Sequence, residues 1–275
     1  MTAGDRWSAS FASASADGMG VYDDVFVPRL FTPWAELLLD RVDPRPGDAV
    51  LDVACGPGTV ARLAAARVAP GGRVTGVDLS PAMLAIARSK GGDVAYVESP
   101  ADALDVADES YDVVTCQQGV QFFPDKAAAL RELRRAARPG ARLGIAVWRG
   151  IEESPFFDAL RGAVGDVLGD DAAALYANGP WGYTDPDALA TLAADAGFAE
   201  VRVSAERLPV TFEGGAAQVV ATLAAASVAD RVRALDGDGY RSLVARAADR
   251  LAPMTDGSGA VRSEASSNVL TAVAR

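Results

Sequence analysis

The sequence predicts an α/β fold, in which a mostly parallel sheet is covered by helices on both faces. Short apolar runs alternate with helical patterns between residues 36 and 150, and this spacing is typical of right-handed βαβ units. Most of these runs are apolar throughout, as expected for strands covered on both sides. Two more strand patterns follow late in the chain. We therefore expect seven strands, five parallel and then an antiparallel pair.

The first half of the chain supplies the five parallel strands and the helices between them. The strands are predicted at VLDVA, RVTGVD, VAYVE, YDVVTC and RLGIAVW (50–54, 73–78, 94–98, 111–116 and 142–148). The helices are predicted at 32–42, 59–69, 81–89 and 125–137. Ser80 is a good N-cap because Pro81 follows it at the first helical position. Pro139 and Gly140 are expected to stop the last of these helices.

The second half reads as a mixture of helices and two long strands. Helices are predicted at 156–169, at 183–198 and, in an Ala-rich stretch, at 216–252. Asp185 or Thr184 should cap the second of them, and Gly197 should end it. The closing strands are expected at 199–213 and 267–275.

Composition excludes several classes of function. The chain has 275 residues, a net charge of −11 and no histidine. The acidic balance disfavours nucleic-acid binding, which needs a basic face. The lack of imidazole excludes Ser-His-Asp and Cys-His catalysis and His-ligated zinc, and two cysteines give neither a disulfide framework nor a metal site. Without a signal peptide or a membrane-length apolar run, we expect a soluble, cytoplasmic protein.

The stretch VLDVACGPGTVA (50–61) places a carboxylate in an apolar strand, just before a glycine turn. Gly56-x-Gly58-x-x-Ala61 fits the dinucleotide fingerprint, and Asp78 ends the next strand, where an acid accepts hydrogen bonds from a ribose diol. A buried Asp52 would repel a pyrophosphate but would attract an ammonium group. S-adenosylmethionine carries such an ammonium beside its adenosine, so Asp52 favours this cofactor over NAD.

Four linked stretches resemble the motifs of class I S-adenosylmethionine-dependent methyltransferases of the small-molecule type. They are LDVACGPG, GVDLSPAML, SYDVVTCQQGVQFFPD and RELRRAARPGARLGIAVW, and the resemblance covers roughly residues 45–150. It implies a Rossmann-like seven-stranded sheet and methyl transfer by in-line displacement at the sulfonium carbon. A single domain over 1–275 is expected, with an N-terminal helical lid (1–44), a cofactor-binding core (45–150) and acceptor-side helices with closing strands (151–275).

The resemblance also implies a set of cofactor contacts. These residues are Tyr22, Asp52, Ala54, Gly56, Gly58, Asp78, Leu79, Met83, Ala101, Asp102 and Gln117. Ala54 stands where the family often has a glycine. The family's acid-alanine pair after the third strand falls here on Pro100 and Ala101, so the adenine amino group would be recognised by the Ala101 backbone or by Asp102.

The acceptor is expected beyond the carboxyl ends of the strands. Gln118, Gln121, Trp148 and Trp181 are the predicted substrate contacts, with residues 1–44 and 216–252 as lids. A base is needed only if the acceptor must lose a proton, and the candidates are Tyr22, Asp23 and Tyr183. We expect a small molecule as partner and no metal, nucleic acid or membrane.

Two alternatives from other classes stay open at this point. One is an NAD-dependent oxidoreductase, and the other is a cyclase or binding module that uses the cofactor without methyl transfer. A biosynthetic role in secondary metabolism is a reasonable setting. The oligomeric state is not determined by the sequence, and a homodimer is one option.

Overall fold

A computed structural model describes residues 22–275, apart from the side chain of Tyr22. The chain divides into two compact units. The larger unit comprises Thr32–Val147, Tyr183–Glu206 and Ser267–Arg275. The smaller comprises Trp148–Gly182, Arg207–Ser266 and the described residues up to Phe31. A π-helical segment, Tyr22–Phe31, directly precedes the first α-helix.

The seven predicted strands are present. They are β1 Ala49–Val53, β2 Arg73–Asp78, β3 Ala95–Glu98, β4 Tyr111–Gln117, β5 Ala137–Trp148, β6 Phe198–Phe212 and β7 Val261–Ala274. Their order in the sheet is β3-β2-β1-β4-β5-β7-β6. The first five strands pair in parallel, and β6 and β7 form the late antiparallel pair. The expected Rossmann-like topology is therefore confirmed.

The helices mostly follow the predicted positions. They are α1 Thr32–Val42, α2 Thr59–Val68, α3 Pro81–Ser89, α4 Lys126–Ala136, α5 Pro155–Leu168, α6 Asp170–Ala177, α7 Pro186–Asp195, α8 Gly215–Ala221, α9 Ala229–Arg233 and α10 Gly237–Leu251. Ser80 caps α3 as predicted, accepting a hydrogen bond from the Met83 N–H at 3.3 Å. Asp185 caps α7, accepting from the Asp187 N–H at 2.9 Å. No helix of residues 22–275 is both long and apolar enough to span a bilayer.

The core of the larger unit lies on the two faces of its sheet. Side chains alternate between the faces along a strand, so Val50 and Val113 pack on one side while Leu51 and Val114 pack on the other. The Val50 face also holds buried residues of α1 and α2. By the same alternation, Asp52 shares the α2 face of the sheet.

The smaller unit has an aromatic core. The rings of Phe156 and Phe157 lie 3.9 Å apart between centroids, and Phe157 meets Trp181 edge-on at 4.8 Å. Tyr176 lies 5.4 Å from Trp181, and Trp148 lies 6.1 Å from Phe157. Edge-to-face and offset contacts at these distances stabilise a core beyond simple burial.

Two predicted elements around Pro139 differ from the structure. Helix α4 ends at Ala136, and strand β5 starts at Ala137, so Pro139 and Gly140 lie inside the strand and do not stop the helix. The residue before a proline is biased towards extended backbone, which accounts for the early start. The ladder between β4 and β5 shifts register at this point, since Tyr111 pairs with Ala137 but Val113 pairs with Arg142.

The Ala-rich stretch is not one helix over 216–252, as predicted. It divides into α8, a 3₁₀ turn (Thr222–Ala225), α9 and α10. Asp236 starts the last piece by accepting a hydrogen bond from the Gly239 N–H at 2.7 Å. Helix α6 was not predicted, and β7 starts six residues before the expected 267.

Candidate active site

The residues singled out in the larger unit follow the carboxyl ends of neighbouring parallel strands. Asp52 of β1 pairs in register with Gly76 of β2 and Thr115 of β4. The glycine turn follows β1, Asp78 ends β2, and Gln118 follows β4. Because the carboxyl ends of parallel strands lie at one edge of a sheet, these groups converge there, where open α/β sheets bind their ligands.

The two glycines of the turn have different structural roles. Both have positive φ, 52° at Gly56 and 76° at Gly58, which favours glycine. A Cβ at Gly58 would collide with the Tyr96 hydroxyl, whereas a Cβ at Gly56 would have no described atom within 4 Å. Gly58 therefore allows close packing, while Gly56 borders open space that a ligand can fill. Ala54 also has a positive φ, 57°, at the position where the family often has glycine.

Asp78 ties the turn to the next helix. One carboxylate oxygen, Oδ2, accepts a hydrogen bond from the Gly56 N–H at 2.8 Å, and Oδ1 accepts from the Ser80 N–H at 2.8 Å. Burial raises the pKa of Asp78, and these N–H donors lower it. A carboxylate has about four lone-pair positions. Two are occupied by the backbone, so the remainder can receive a pair of hydroxyl groups.

Asp52 is a buried carboxylate whose two oxygens have different surroundings. It is 1 % exposed, and its Oδ1 accepts a hydrogen bond from the Thr115 hydroxyl at 2.9 Å. Its Oδ2 has no hydrogen-bond partner among residues 22–275. Burial raises the pKa of Asp52 to about 7, although the Thr115 hydroxyl and the nearby Ala61 N–H lower it. A ligand cation would supply the interaction that the buried oxygen lacks.

Leu79 presents an apolar surface next to Asp78. It is 55 % exposed and, with Tyr240, is one of two large hydrophobic side chains exposed in the described chain. Met83, in contrast, is buried in the first turn of α3. Leu79 therefore leaves apolar surface available to a flat aromatic group, whereas the Met83 side chain is buried.

The loop after β3 is held by hydrogen bonds at both ends. The Ser99 hydroxyl donates to the Ala103 carbonyl at 2.8 Å and accepts from the Asp105 N–H at 3.0 Å. Glu132 of α4 accepts from the Leu104 N–H at 2.8 Å. Between these ties, Ala101 is half-buried and Asp102 is exposed. Ala101 and Asp102 are both candidates for hydrogen-bonding an adenine amino group.

The loop after β4 holds two buried amides. Gln118 has a positive φ of 55°, and its Nε2 donates to the Ser267 hydroxyl of β7 at 2.8 Å. Its Oε1 has no partner in the described chain. Gln121 is 8 % exposed, and neither atom of its amide makes a hydrogen bond within residues 22–275. Gln117, which precedes them, is half-buried at the end of β4.

The remaining predicted residues are distributed between the units. Tyr183 belongs to the larger unit, where the Lys126 ammonium lies 5.3 Å from its ring centroid. Burial and Asp185 raise the pKa of Tyr183, so its phenolate, already scarce at neutral pH, becomes scarcer still. Trp148 and Trp181 belong to the smaller unit and pack in its aromatic core.

The two N-terminal candidates for the base, Tyr22 and Asp23, belong to the π-helical segment. Asp23 is half-buried in the π-helical segment. The side chain of Tyr22 lies outside the described residues.

The comparison with known proteins agrees with this geometry. Residues 51–145 match the family described as methyltransferase domain. The nocamycin O-methyltransferase of Saccharothrix syringae is 36% identical over 199 residues, which cover 66% of this chain and 70% of that protein. The ubiquinone/menaquinone biosynthesis C-methyltransferase UbiE of Bradyrhizobium diazoefficiens is 31% identical over 198 residues, covering 65% of this chain and 78% of that protein. The chain belongs to the class I S-adenosylmethionine-dependent methyltransferases.

A solved structure supports the fold of this methyltransferase. The phosphoethanolamine N-methyltransferase 2 of Haemonchus contortus, in complex with phosphomonomethylethanolamine and S-adenosylhomocysteine, superposes with a TM-score of 0.60 at 19% identity. The alignment covers 100% of this chain and 60% of that one. The cofactor of the present methyltransferase is S-adenosylmethionine. Neither the oxidoreductase alternative nor the cyclase or binding module is favoured.

Three residues of the methyltransferase site were missed from the sequence. Thr115 contacts Asp52, Ser267 contacts Gln118, and Lys126 lies beside Tyr183. Thr115 and Ser267 are small residues in strands, and their contacts depend on strand order and register. Lys126 follows Asp125, the N-cap of α4. Its half-buried position and its hydrogen bond to the Phe123 carbonyl at 2.9 Å distinguish it from a surface lysine.

Proposed function

We propose that this methyltransferase transfers the methyl group to a small-molecule acceptor in a biosynthetic pathway. The observation that carries the proposal is the Gln121 amide, which is buried and unpaired within the described chain, as is Oε1 of Gln118 three residues earlier. Buried polar groups are ordinarily hydrogen-bonded, so these amides need a partner that a small polar ligand can supply. The names of the two relatives, which refer to nocamycin and to ubiquinone/menaquinone biosynthesis, support a small acceptor.

The proposed cofactor contacts follow from the unfilled hydrogen-bonding positions. Asp52 Oδ2 receives the α-ammonium group, and Gly56 leaves room for the amino-acid part. Asp78 receives the ribose hydroxyls, and Leu79 covers the adenine. Ala101 or Asp102 recognises the adenine amino group. Bound S-adenosylmethionine supplies a methyl group that its sulfonium already activates, so the chain has to orient it, exclude water and hold the acceptor in line.

The proposed acceptor contacts use amides. An amide donates and accepts, so Gln118 Oε1 and the Gln121 side chain suit a hydroxyl or carbonyl group on the acceptor. Of the candidate bases, Tyr183 is disfavoured by its raised pKa. Tyr22 and Asp23 stay predictions, as do acceptor contacts from Trp148 and Trp181. We favour an acceptor whose nucleophile is already competent or needs only weak assistance.

An acceptor screen tests this proposal. The purified protein is incubated with S-adenosylmethionine and with phenols, quinols and enolic compounds, and S-adenosylhomocysteine formation is measured. We expect acceptor-dependent turnover that requires Gln121. The proposal would be contradicted if the protein bound the cofactor and turned it over with protein or nucleic acid as the acceptor, but with no small molecule. A cytoplasmic location and a homodimeric form remain predictions for cell fractionation and sedimentation.

A further inference from the structure

Thr115 is the only described side chain that hydrogen-bonds Asp52. It is fully buried in β4, directly opposite Asp52 in the β1–β4 register. Its hydroxyl lies 2.9 Å from Asp52 Oδ1 and 3.4 Å from the Leu51 carbonyl. A hydroxyl has one proton to donate, so the shorter, charged contact takes it.

The strand pairing leaves this hydroxyl little freedom. Thr115 shares the α2 face with Val113, as Asp52 does with Val50, so the two polar side chains face the same apolar layer. Threonine is also restricted at χ1 because it is β-branched. The contact therefore fixes one oxygen of the carboxylate and leaves the other, Oδ2, without a partner among the described residues.

We propose that Thr115 is a positioning residue for cofactor binding, which holds Oδ1 of Asp52 so that Oδ2 faces the α-ammonium group of S-adenosylmethionine. This inference rests on the proposed assignment of Asp52 to the amino end of the cofactor. Thr115 itself touches neither the cofactor nor the acceptor in this scheme.

The charges around Asp52 make the interaction sensitive to pH. Asp52 interacts electrostatically with four other titratable groups: Asp78 at the end of β2, Cys55 in the turn, Cys116 of β4 and Tyr96 of β3. None of these is a cation. Arg62 of α2 donates to the Pro57 carbonyl at 2.5 Å. The carboxylate is thus stabilised mainly by Thr115, with help from the Ala61 N–H.

The sign of the pH effect follows from the ligand. The ammonium group binds the ionised carboxyl, and the pKa of Asp52 is about 7 without ligand. Affinity for a ligand with the amino-acid part should therefore rise as the pH passes upward through that value. Removal of the Thr115 hydroxyl raises the pKa further, so the same rise should occur at higher pH.

Calorimetric titration with two probes tests the proposal. S-adenosylhomocysteine carries the amino-acid part, whereas 5′-methylthioadenosine lacks it and retains the nucleoside. Both are titrated between pH 6 and pH 8.5 into wild type, Thr115→Val and Thr115→Ser. At pH 7, Thr115→Val should bind S-adenosylhomocysteine about tenfold or more weakly, the scale of one hydrogen bond to a charged group, with methylthioadenosine affinity unchanged. Thr115→Ser, which restores the hydroxyl, should behave like wild type.

Three outcomes would overturn the inference. Thr115→Val could bind both probes equally weakly, which indicates a general structural role. It could bind both as wild type does. It could weaken S-adenosylhomocysteine binding with no shift of the pH profile.

The same titrations of Asp52→Asn distinguish an error about Thr115 from an error in the proposed assignment of Asp52 to the cofactor. If Asp52→Asn leaves the affinity ratio of the two probes unchanged, the assignment of Asp52 itself is wrong. If Asp52→Asn removes the preference but Thr115→Val does not, only the role of Thr115 is refuted.

Discussion

Replacing Asp78 by alanine should weaken both the fold and the cofactor site. The carboxylate accepts hydrogen bonds from the Gly56 and Ser80 N–H groups, each at 2.8 Å. A hydrogen bond to a charged group contributes about 1.5–3 kcal/mol, and some of that loss is recovered where water replaces the carboxylate. We therefore expect Asp78→Ala to lower the free energy of unfolding by about 2–4 kcal/mol in the absence of ligand. Urea denaturation followed by circular dichroism measures this loss.

The same variant should lose the proposed ribose contacts. Two hydroxyls meet one carboxylate, so loss of S-adenosylhomocysteine affinity should be about 1.5–3 kcal/mol, or roughly 10- to 150-fold. Titration is carried out at a temperature where the variant remains folded. Asp185→Ala is the matched control, because Asp185 also accepts two backbone N–H bonds at a helix N-terminus, from Asp187 and Ala188.

The control should lose about 1 kcal/mol of stability and no affinity. Unchanged stability of Asp78→Ala would refute the structural argument. Unchanged affinity in a folded Asp78→Ala protein would refute the ribose assignment.

Three further predictions concern the turn, the amide and the buried acid. Gly58→Ala should lower the free energy of unfolding, because the new Cβ collides with the Tyr96 hydroxyl, and Tyr96→Phe in the same chain should recover part of the loss. Gly56→Ala should lower cofactor affinity more than it lowers stability; if the two glycine variants had equal effects in urea unfolding and in cofactor titration, this distinction would be wrong. Gln121→Leu should keep or raise stability, because it removes an unpaired buried amide, yet raise the KM for the acceptor; an unchanged KM would exclude the residue from the acceptor site. The pKa of Asp52 is raised from 3.8 to about 7, so the folded state holds a proton that the unfolded state releases. Stability without ligand should therefore fall as the pH rises from 4 towards 7, by up to about 4 kcal/mol from this group, and Asp52→Asn should show a smaller decline in pH-dependent urea unfolding, because the raised pKa of Asp78 acts in the same direction.

Much of the fold could be predicted because local signals and strand alternation agree. The helix over 32–42 and the Ser80 and Asp185 caps are present where the sequence places them. The elements that differ are those in which local rules compete. Alanine has a high helix propensity, but in the Ala-rich stretch Asp236 caps a new helix within LDGDG and interrupts the run. Around Pro139, extended backbone before the proline prevailed over the expected helix stop.

The site could be predicted only as far as single residues show their chemistry. Asp52 and Asp78 are conspicuous because carboxylates are costly at the ends of buried strands. The Thr115 contact was not predictable, because it requires that β4 be the neighbour of β1 and that the register align two specific residues. The Asp78 link to Gly56 likewise depends on how the turn folds back over β2. The unpaired state of Gln121 can be recognised only when its burial is known.

Titration of the purified protein with S-adenosylhomocysteine, with NAD as the comparison, would decide whether this sheet edge binds the methyl-donor cofactor. We expect one-site binding of S-adenosylhomocysteine that weakens in Asp78→Ala and Asp52→Asn, and no binding of NAD. If NAD bound more tightly than S-adenosylhomocysteine, or if both variants kept the wild-type affinity for S-adenosylhomocysteine, this edge of the sheet would not be a site for an ammonium-bearing nucleoside.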